Sequence, residues 1–378
     1  MNRIKEALVV SAVLRSWKII LRNWDWVFLI VLTIGIRLFA SAPEAVELYY
    51  SQGVYPAYSG LLRSILNWLP LSLGDLLYGV LAFMGIGKAV TTIRRLSKGN
   101  LHKENWLAGL RKFCFIGLTV YLVFNISWGL NYNRLGIGSQ LALQPTVVDA
   151  EELDSLTAGL LHKTNSYSIQ IDTTAIIQFK NKAKLFSSAA AEVNNASFRY
   201  PFLKGNLGAV KPSLYSYLGN YLGFQGYYNP FTGEGQVNTT IPVFLQPFVA
   251  THEIAHQLGY AKESEANFVG FLVCKEAKDP LFRYAAYLDM YLYAHAILYQ
   301  VDSTRANQLR LQRSAQVQLD IQTLKSFYQQ YQNPIEELVM QGYDYFLRAN
   351  EQPQGTQSYS QVLRWLMAWV RKNGWEAL

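Results

Sequence analysis

Three long apolar segments fall within the first 132 residues, and they restrict the fold more than any other feature of the sequence. They predict membrane-spanning helices at about residues 26–42, 70–90 and 113–131. Each approaches the ~20 apolar residues that a helix needs to cross the hydrocarbon layer. A buried core helix is the alternative for any one of them, but basic residues flank all three, as is usual at the ends of spans. We therefore predict a three-span membrane anchor over residues 1–132.

The composition agrees with a membrane protein. Only 16% of the residues are charged and 51% are hydrophobic, whereas an average soluble domain is about 25% charged. Residues 7–21 are apolar with interleaved basic residues and predict an interfacial helix. The net charge of +8 would also suit nucleic-acid binding. Because many of the basic residues flank the apolar segments, however, we predict the lipid bilayer as the partner and no nucleic acid.

The positions of the basic residues predict the orientation of the chain. Residues 1–24 contain five Lys and Arg and residues 91–112 contain six, but residues 41–70 contain one. The positive-inside rule places the first two regions in the cytoplasm, and three spans then place residues 133–378 outside. We predict a multi-pass protein of the cytoplasmic (inner) membrane, with its N-terminus inside and a periplasmic or otherwise extracytoplasmic C-terminal domain.

This C-terminal domain, residues 133–378, is predicted to be mostly helical, because long stretches carry apolar residues at helical spacing. Glycine and proline concentrate at residues 205–247, together with aromatic and Thr/Val runs. That region predicts short strands and irregular loops. The predicted fold class is mainly α: a three-span anchor followed by a mostly helical domain with a small β or loop element.

A metal-binding motif lies within this domain, where His252, Glu253 and His256 form the pattern H-E-x-x-H. Residues four apart share one face of a helix, so both imidazoles can reach one ion, and Zn²⁺ readily takes two histidine nitrogens. Glu253 can polarise a metal-bound water without ligating the metal. Pro247 and Gly259 suit the two ends of such a helix. Two hydrogen-bonded core histidines are the alternative, but the chain has only five histidines, so we predict a metal site.

The third ligand decides the class of site. A pattern that ends in a third histidine needs that residue at position 262, but the chain has Lys262 there, and a charged lysine cannot ligate zinc. Two carboxylates follow at once, Glu263 and Glu265. Either of them can supply an oxygen ligand, so the sequence leaves both open.

The letters ESEAN, which begin at Glu263, resemble the pattern E-x-x-A/S-D of gluzincin-type metallopeptidases. The resemblance implies a zincin-like domain with Glu263 as the ligand and Asn267 as the residue that orients a histidine ligand through a hydrogen bond. Asn267 replaces the usual aspartate, so it accepts the imidazole N–H without a charge. Glu265 is then a solvated charge at a helix N-terminus, or the alternative ligand. Only six residues separate His256 from Glu263, fewer than is usual in gluzincins, which requires a tight turn.

Several segments carry a second resemblance, over nearly the full length of the chain. They are the apolar N-terminus, WGLNYNR after the third span, GYYNPFTGEGQVN, HEIAHQLGYAKESEANFVG, and QGTQSYSQVL near the C-terminus. The chain resembles a membrane-protein family catalogued as domain of unknown function 3810, found chiefly in Bacteroidota. The resemblance implies the architecture and no substrate.

The polar, glycine-rich stretch before the metal motif predicts a substrate cleft, because zinc peptidases commonly place there an edge strand that pairs with an extended peptide. A surface hairpin fits the same sequence. The candidate cleft residues are Asn229, Glu234, Gln236 and Asn238. An oxyanion donor must come from elsewhere. The candidate donors are Tyr260, Tyr343 and Tyr359.

Two functions fit these observations. The first is a membrane-anchored zinc-dependent metallopeptidase, in which His252, His256 and Glu263 bind Zn²⁺ and Glu253 transfers the proton. Its substrates would be peptides or proteins, or the amide bond of a cell-wall peptide. The alternative is a non-catalytic, zinc-stabilised scaffold or degenerate protease that binds a partner, which Glu253 disfavours and Asn267 favours. A transporter fits less well, since three spans leave little room for paired repeats. Intramembrane proteolysis is not expected, because the motif lies far from any span, but a domain folded onto the bilayer could still act close to it.

Overall fold

The computed structural model describes residues 23–98, 103–208, 210–355 and 361–378. The predicted interfacial helix at 7–21 therefore lies outside the described residues. The fold is mainly α, as predicted. In chain order the helices are α1 (Trp24–Ala40), α2 (Pro43–Leu66), α3 (Leu73–Ser97), α4 (Lys103–Ser127), α5 (Gly136–Leu141), α6 (Ala150–Ser168), α7 (Thr173–Gln178), α8 (Lys182–Ala196), α9 (Ser216–Leu222), α10 (Gln246–Gln257), α11 (Glu263–Glu276), α12 (Pro280–Val301), α13 (Ser303–Leu311), α14 (Ala315–Tyr331), α15 (Pro334–Ala349) and α16 (Val362–Asn373).

One small sheet accompanies these helices in the described part of the chain. Its strands are β1 (Val210–Pro212), β2 (Gly226–Asn229) and β3 (Glu234–Val237). Their order in the sheet is β1-β3-β2, with β1 parallel and β2 antiparallel to β3. All three strands fall within the region that was predicted to contain short strands.

Two helices, α3 and α4, are long and apolar enough to cross a membrane. The pair α1 and α2 also qualifies, as one segment bent by 96° at a short break. The chain therefore has two or three candidate spans, which indicates a membrane protein. Helix α4 ends at Ser127 and not near residue 131, because the chain turns there into a buried 3₁₀ helix, Gly129–Asn133.

Helix α2 buries polar side chains and exposes large apolar ones, the reverse of a surface helix in a soluble protein. Its buried side chains include polar and charged groups, whereas large apolar side chains are exposed. The buried polar residues are Glu47, Ser51, Ser59 and Arg63. The exposed apolar residues are Leu48, Tyr49, Val54, Tyr58, Leu61 and Ile65. A helix with an apolar outer face suits contact with lipid. Because it bends by 96° from α1, it would lie along the membrane surface if α1 crosses the bilayer.

The buried face of α2 contacts the helix that carries the metal motif. The Tyr55 hydroxyl and the Arg63 guanidinium both donate hydrogen bonds to the carbonyl of Gln257, at 2.9 and 3.2 Å. Glu47 forms a buried ion pair with Arg134 at 2.7 Å. Close contacts thus cross the predicted boundary between residues 132 and 133, and the segment between the first two apolar helices supports the C-terminal region.

The Glu47–Arg134 pair gives a test of this support. In the variant Glu47→Ala the guanidinium of Arg134, only 4% exposed, loses its charged partner. Removal of one partner from a buried pair costs about 3–5 kcal/mol, so we expect a lower midpoint of thermal unfolding for the full-length protein in detergent. Glu44→Ala, at an exposed position of the same helix, is the matched control and should unfold like the wild type. Equal unfolding of all three proteins would contradict a supporting role for α2.

Helix α10 lies at the centre of the fold, between α8, α11, α12 and the sheet. All of its side chains except His252 are buried, so packing on every side fixes the rotation of the helix about its axis. The hairpin formed by β2 and β3 packs against it. Glu234 of this hairpin accepts hydrogen bonds from the first amides of α3, including that of Gly74 at 2.6 Å, and pairs with Lys211. The sheet therefore connects α10 directly to a candidate span.

Candidate metal centre

A tight turn brings the two halves of the motif together. Helix α10 ends at Gln257 and α11 begins at Glu263. Gly259 has a φ of +86°, and a Cβ at this position would lie 3.0 Å from the Asn131 amide oxygen. Only glycine fits such a conformation at such a close approach. The turn folds α11 back against α10, which is the sharp reversal that the short spacing requires.

The side chains of His252, His256 and Glu263 converge across this helix pair, and we call them the His–Glu cluster. The Glu263 Oε2 atom lies 3.3 Å from the Nε2 atom of His252 and 3.7 Å from that of His256. One ligand atom from each residue lies within 4.8 Å of the others, an arrangement that could hold a metal ion. The cluster is almost completely shielded from water, since its side chains are between 6% and 12% exposed.

The orientation of His256 is fixed from two sides. Its Nδ1 atom lies 2.7 Å from the carbonyl oxygen of Tyr260, a hydrogen bond that leaves Nε2 facing Glu263. Its backbone carbonyl accepts a hydrogen bond from the indole of Trp128, at 3.2 Å. Burial alone would lower the pKa of His256, but the nearby carboxylate of Glu263 raises it to about 8. Burial likewise opposes ionisation of Glu263, but the two histidines hold its pKa well below the usual value.

In the described part of the chain, the imidazole of His252 has fewer hydrogen bonds than that of His256. Burial lowers its pKa, and an interaction with the side chain of Asn267 is one of the weaker effects that raise it. The Nδ1 atom of His252 and the Nδ2 atom of Asn267 are both buried without a full hydrogen bond among the described residues. The structure thus places Asn267 beside a histidine of the cluster, and its role in orienting the imidazole stays a prediction.

Glu253 lies next to the cluster, with few hydrogen bonds to its carboxylate among the described residues. Its Oε2 atom is buried and has no hydrogen-bond partner in the described part of the chain. Burial raises its pKa to about 8. A Cβ on Gly226 would lie 2.4 Å from the Glu253 Oε1 atom, and one on Gly235 would lie 2.9 Å from its Cβ. Two glycines of the hairpin therefore allow the sheet to approach this carboxylate closely.

Glu265 does not belong to the cluster, and it is not the solvated charge that the sequence suggested. It is 4% exposed, and its carboxylate accepts a hydrogen bond from the amide of Ile137 at the start of α5, at 3.2 Å. Burial raises its pKa. Because α11 turns Glu265 toward α5 and away from the histidines, Glu263 is the carboxylate that the structure brings to the cluster.

The predicted cleft residues lie inside the fold. All four are at most 3% exposed, and none is among the described residues that line the cavity at the cluster. Glu234 caps α3, and the other three bond to neighbouring loops and to Ser72. Other residues of the same hairpin line the cavity instead, namely Gly226, Tyr227 and Tyr228. The residues placed inside the fold are Asn229, Glu234, Gln236 and Asn238.

One of the three candidate tyrosines reaches the cluster. The hydroxyl of Tyr343 donates a hydrogen bond to the Glu263 Oε1 atom at 2.7 Å, opposite the edge that faces the histidines. Tyr260 donates instead to Gln140, and Tyr359 lies outside the described residues. Trp128 was not among the predicted site residues, although it lies in the segment WGLNYNR at the end of the third apolar segment.

A cavity of about 910 Å³ contains the cluster and Glu253. Its walls come from the hairpin, from α4 and from α15. Residues of the candidate spans therefore share one cavity with the H-E-x-x-H motif. The motif is distant from the spans in sequence but adjacent to α4 in space, which corrects the expectation that the two lie far apart.

The comparison with known protein families gives one match. The model of the family described as "Protein of unknown function (DUF3810)" matches residues 50–367. Neither the curated proteins nor the solved structures include a match to the chain. The matched range includes α3, α4, the sheet and the whole His–Glu cluster.

Proposed function

The chain belongs to the DUF3810 family, and from the geometry of its site we propose that it is a membrane-anchored, zinc-dependent metallopeptidase. It would hydrolyse peptide bonds at the extracytoplasmic face of the inner membrane. One observation carries the proposal: His252, His256 and Glu263 converge in a cavity, beside a buried carboxylate of Glu253 that has an unpaired oxygen.

The donor set suits zinc. Catalytic zinc sites use three protein ligands drawn from His, Glu, Asp and Cys, and they leave the fourth position open. Two ligands at about 2.0–2.1 Å from a tetrahedral zinc lie about 3.3 Å apart. The separations of 3.3 and 3.7 Å between the carboxylate oxygen and the imidazole nitrogens are close to that value. Glu263 is ionised in this setting, because the histidines lower its pKa, and a carboxylate ligand must be ionised.

When bound here, zinc supplies a Lewis acid that polarises a carbonyl group and lowers the pKa of a water molecule. The chain supplies the proton transfer. Glu253 lies beside the cluster with an unpaired oxygen, so it can accept the proton of the attacking water and pass it to the leaving amine. Burial raises its pKa to about 8, and a pKa near the working pH suits a group that takes up a proton in one step and releases it in the next.

Strand β2 offers a place for the substrate backbone. It is one of the two edge strands of the sheet, and the Asn238 amide donates a hydrogen bond to the Gln225 carbonyl. Along an antiparallel strand, residues alternate between hydrogen-bonded and non-hydrogen-bonded pairs. Because Gln225 belongs to a hydrogen-bonded pair, the backbone groups of Gly226 and Tyr228 point away from β3, to the outer edge. An extended peptide that adds to this edge would pass Glu253, which the hairpin approaches at Gly226.

The proposed domain is zincin-like, with the motif helix and the glutamate helix packed as a pair beside a small sheet. Its extracytoplasmic location is supported by the distribution of Lys and Arg, since residues 91–112 follow α3 and carry six of them. The non-catalytic scaffold is less well supported. A structural zinc site is closed by a fourth protein ligand, whereas the described residues offer three, and a scaffold needs no unpaired buried carboxylate.

Incubation of the full-length protein in nanodiscs with a mixed peptide library tests the proposal. Mass spectrometry should find new termini that disappear when a chelator removes the metal and return when zinc is added. Identical spectra with and without the protein would contradict it.

Tyr343→Phe tests how the glutamate ligand is held. The variant loses the hydroxyl that bonds to the Glu263 Oε1 atom, and loss of such a partner typically weakens metal affinity by 10–100-fold. We expect zinc to bind at least about tenfold more weakly, measured by competition with a chelating dye. Tyr345→Phe, an exposed position on the same helix, is the control and should keep the wild-type affinity. Equal affinities would show that the tyrosine does not support the ligand.

A further inference from the structure

The cavity extends from the His–Glu cluster along one face of α4. Its wall includes Gly117, Val120, Tyr121 and Phe124, which are spaced three and four residues apart and so share a face. Trp128, one turn further, bonds to the carbonyl of His256. An α-helix rises 1.5 Å per residue, so Gly117 lies ~16 Å along the axis from the end that contacts the cluster.

If α4 crosses the bilayer, this part of the cavity lies at the depth of the hydrocarbon layer. Helix α4 is one of the two long apolar helices, and the hydrocarbon layer is about 30 Å thick. A cavity that follows α4 for ~16 Å therefore reaches about half-way into the layer. Gly117 and Val120 are themselves exposed, so the cavity opens sideways at this depth. In a bilayer that α4 crosses, the surroundings there would be lipid and not water.

Helix α15 forms the opposite wall and is also suited to lipid. The ring of Phe346 packs edge-on against Phe124 of α4, with centroids 6.3 Å apart, and Met340 lines the cavity. The outer side of α15 exposes Ile335 and Leu338. A helix that exposes large apolar side chains and contacts a candidate span fits the membrane surface.

We propose, on the basis of the peptidase function above, that the substrate is a lipid-anchored peptide. Its acyl chain lies along α4 between Gly117 and Phe124, and its backbone lies on β2 beside Glu253. The cavity matches such an amphiphile, since it is apolar at the α4 end and carries ionisable groups at the cluster.

The size of the cavity favours an acyl chain over a transmembrane helix as the anchor. A helix with side chains is 10–12 Å across, so ~16 Å of it occupies roughly 1,300 Å³ or more. The whole cavity measures about 910 Å³, and part of that space lies at the cluster. A single extended chain fits within this space, whereas a helix would have to lie partly outside it.

The variant Gly117→Phe tests the acyl site. A Cβ at Gly117 meets no atom within 4 Å, so the ring can project into the cavity without disturbing the fold. Gly109→Phe is the matched control, because Gly109 is also an exposed position of α4 with equally open space and is not among the described lining residues. The readout is kcat/KM in phosphatidylcholine nanodiscs for one peptide in three forms: free, N-palmitoylated, and fused to a transmembrane helix.

We expect the wild type and Gly109→Phe to prefer the palmitoylated peptide over the free one. In Gly117→Phe this preference should fall at least about tenfold, the effect of keeping two methylene groups out of an apolar site. An unchanged preference in Gly117→Phe would overturn the proposal. Cleavage of the helix-fused peptide as fast as the palmitoylated one would overturn the choice of an acyl anchor.

A binding measurement keeps this inference separate from the peptidase proposal. Glu253→Gln protein is labelled with the same peptide carrying a photoreactive diazirine in its acyl chain. We expect cross-links on the cavity side of α4, at Gly117, Val120 or Tyr121, whether or not any peptide is cleaved. Cross-links confined to Ile116 and Val123, exposed positions outside the cavity lining, would show that the chain merely dissolves in the bilayer, and would overturn the proposal.

Discussion

Glu253→Gln is expected to abolish peptide cleavage and to leave zinc binding intact. Glutamine keeps the shape of the side chain but cannot accept the proton of the attacking water. Loss of a general base typically lowers kcat by 10²–10⁴-fold, and here one group serves both proton transfers, so we expect the upper part of that range. The measurement is kcat on a peptide identified from the library, together with zinc content by mass spectrometry.

Two results would count against this role of Glu253. The first is a glutamine variant that cleaves at the wild-type rate. The second is a variant that loses its zinc, since that would make Glu253 a ligand. Glu276→Gln is the control: Glu276 lies at the end of α11 and forms a surface ion pair with Arg199, so the variant should retain full activity.

Glu263→Ala is expected to remove zinc from the protein and with it all cleavage. Its carboxylate lies between the two imidazoles, so the change leaves only two ligands. Loss of a residue that merely supports a ligand weakens binding by 10–100-fold, so loss of the ligand itself should exceed about 100-fold. Zinc affinity by chelator competition is the measurement.

Glu265→Gln is the matched comparison for Glu263→Ala, because both residues are buried carboxylates in the first turn of α11. Glu265 faces the amide of Ile137 and not the histidines, so the glutamine variant should keep its zinc. If it lost zinc and Glu263→Ala did not, the assignment of the third ligand would be reversed.

The sequence predicted the elements that depend on local pattern. Apolar length located α3 and α4, because a helix in lipid must be apolar over its whole span. The i, i+4 spacing of His252 and His256 predicted a shared helix face, and the structure brings both to one carboxylate. The choice of Glu263 over Glu265 came from a resemblance, and it agrees with the direction in which α11 presents the two side chains.

The contacts between distant segments could not be predicted from local pattern. Glu265 looked solvated because acidic residues at helix N-termini commonly are, yet α5 covers it. The cleft was assigned to the polar residues of the hairpin, but these bond to Ser72 and to other groups inside the fold. Gly226, Tyr227 and Tyr228 of the hairpin line the cavity instead. Nothing in residues 43–66 alone indicates that their polar face packs against α10, because that depends on the partner helix.

These distant contacts tie the proposed site to the membrane. Trp128 supports the backbone of His256, and Arg134 donates to the carbonyl of Gly259 in the turn between α10 and α11, at 3.1 Å. Both belong to the segment WGLNYNR at the end of α4. Residues 133–378 alone would lack Trp128, Tyr55 and Arg63, so each experiment requires the full chain.

Zinc titration of the full-length protein tests the central claim most directly. Metal-free protein in nanodiscs receives increasing zinc, and cleavage of a library-derived peptide is followed at each step. The account predicts that activity rises in proportion to zinc and stops rising at one zinc per chain, and that Glu253→Gln binds the same amount without activity. Tight binding of one zinc without cleavage of any peptide in the library would contradict the peptidase and favour the scaffold. No zinc bound at all would contradict both.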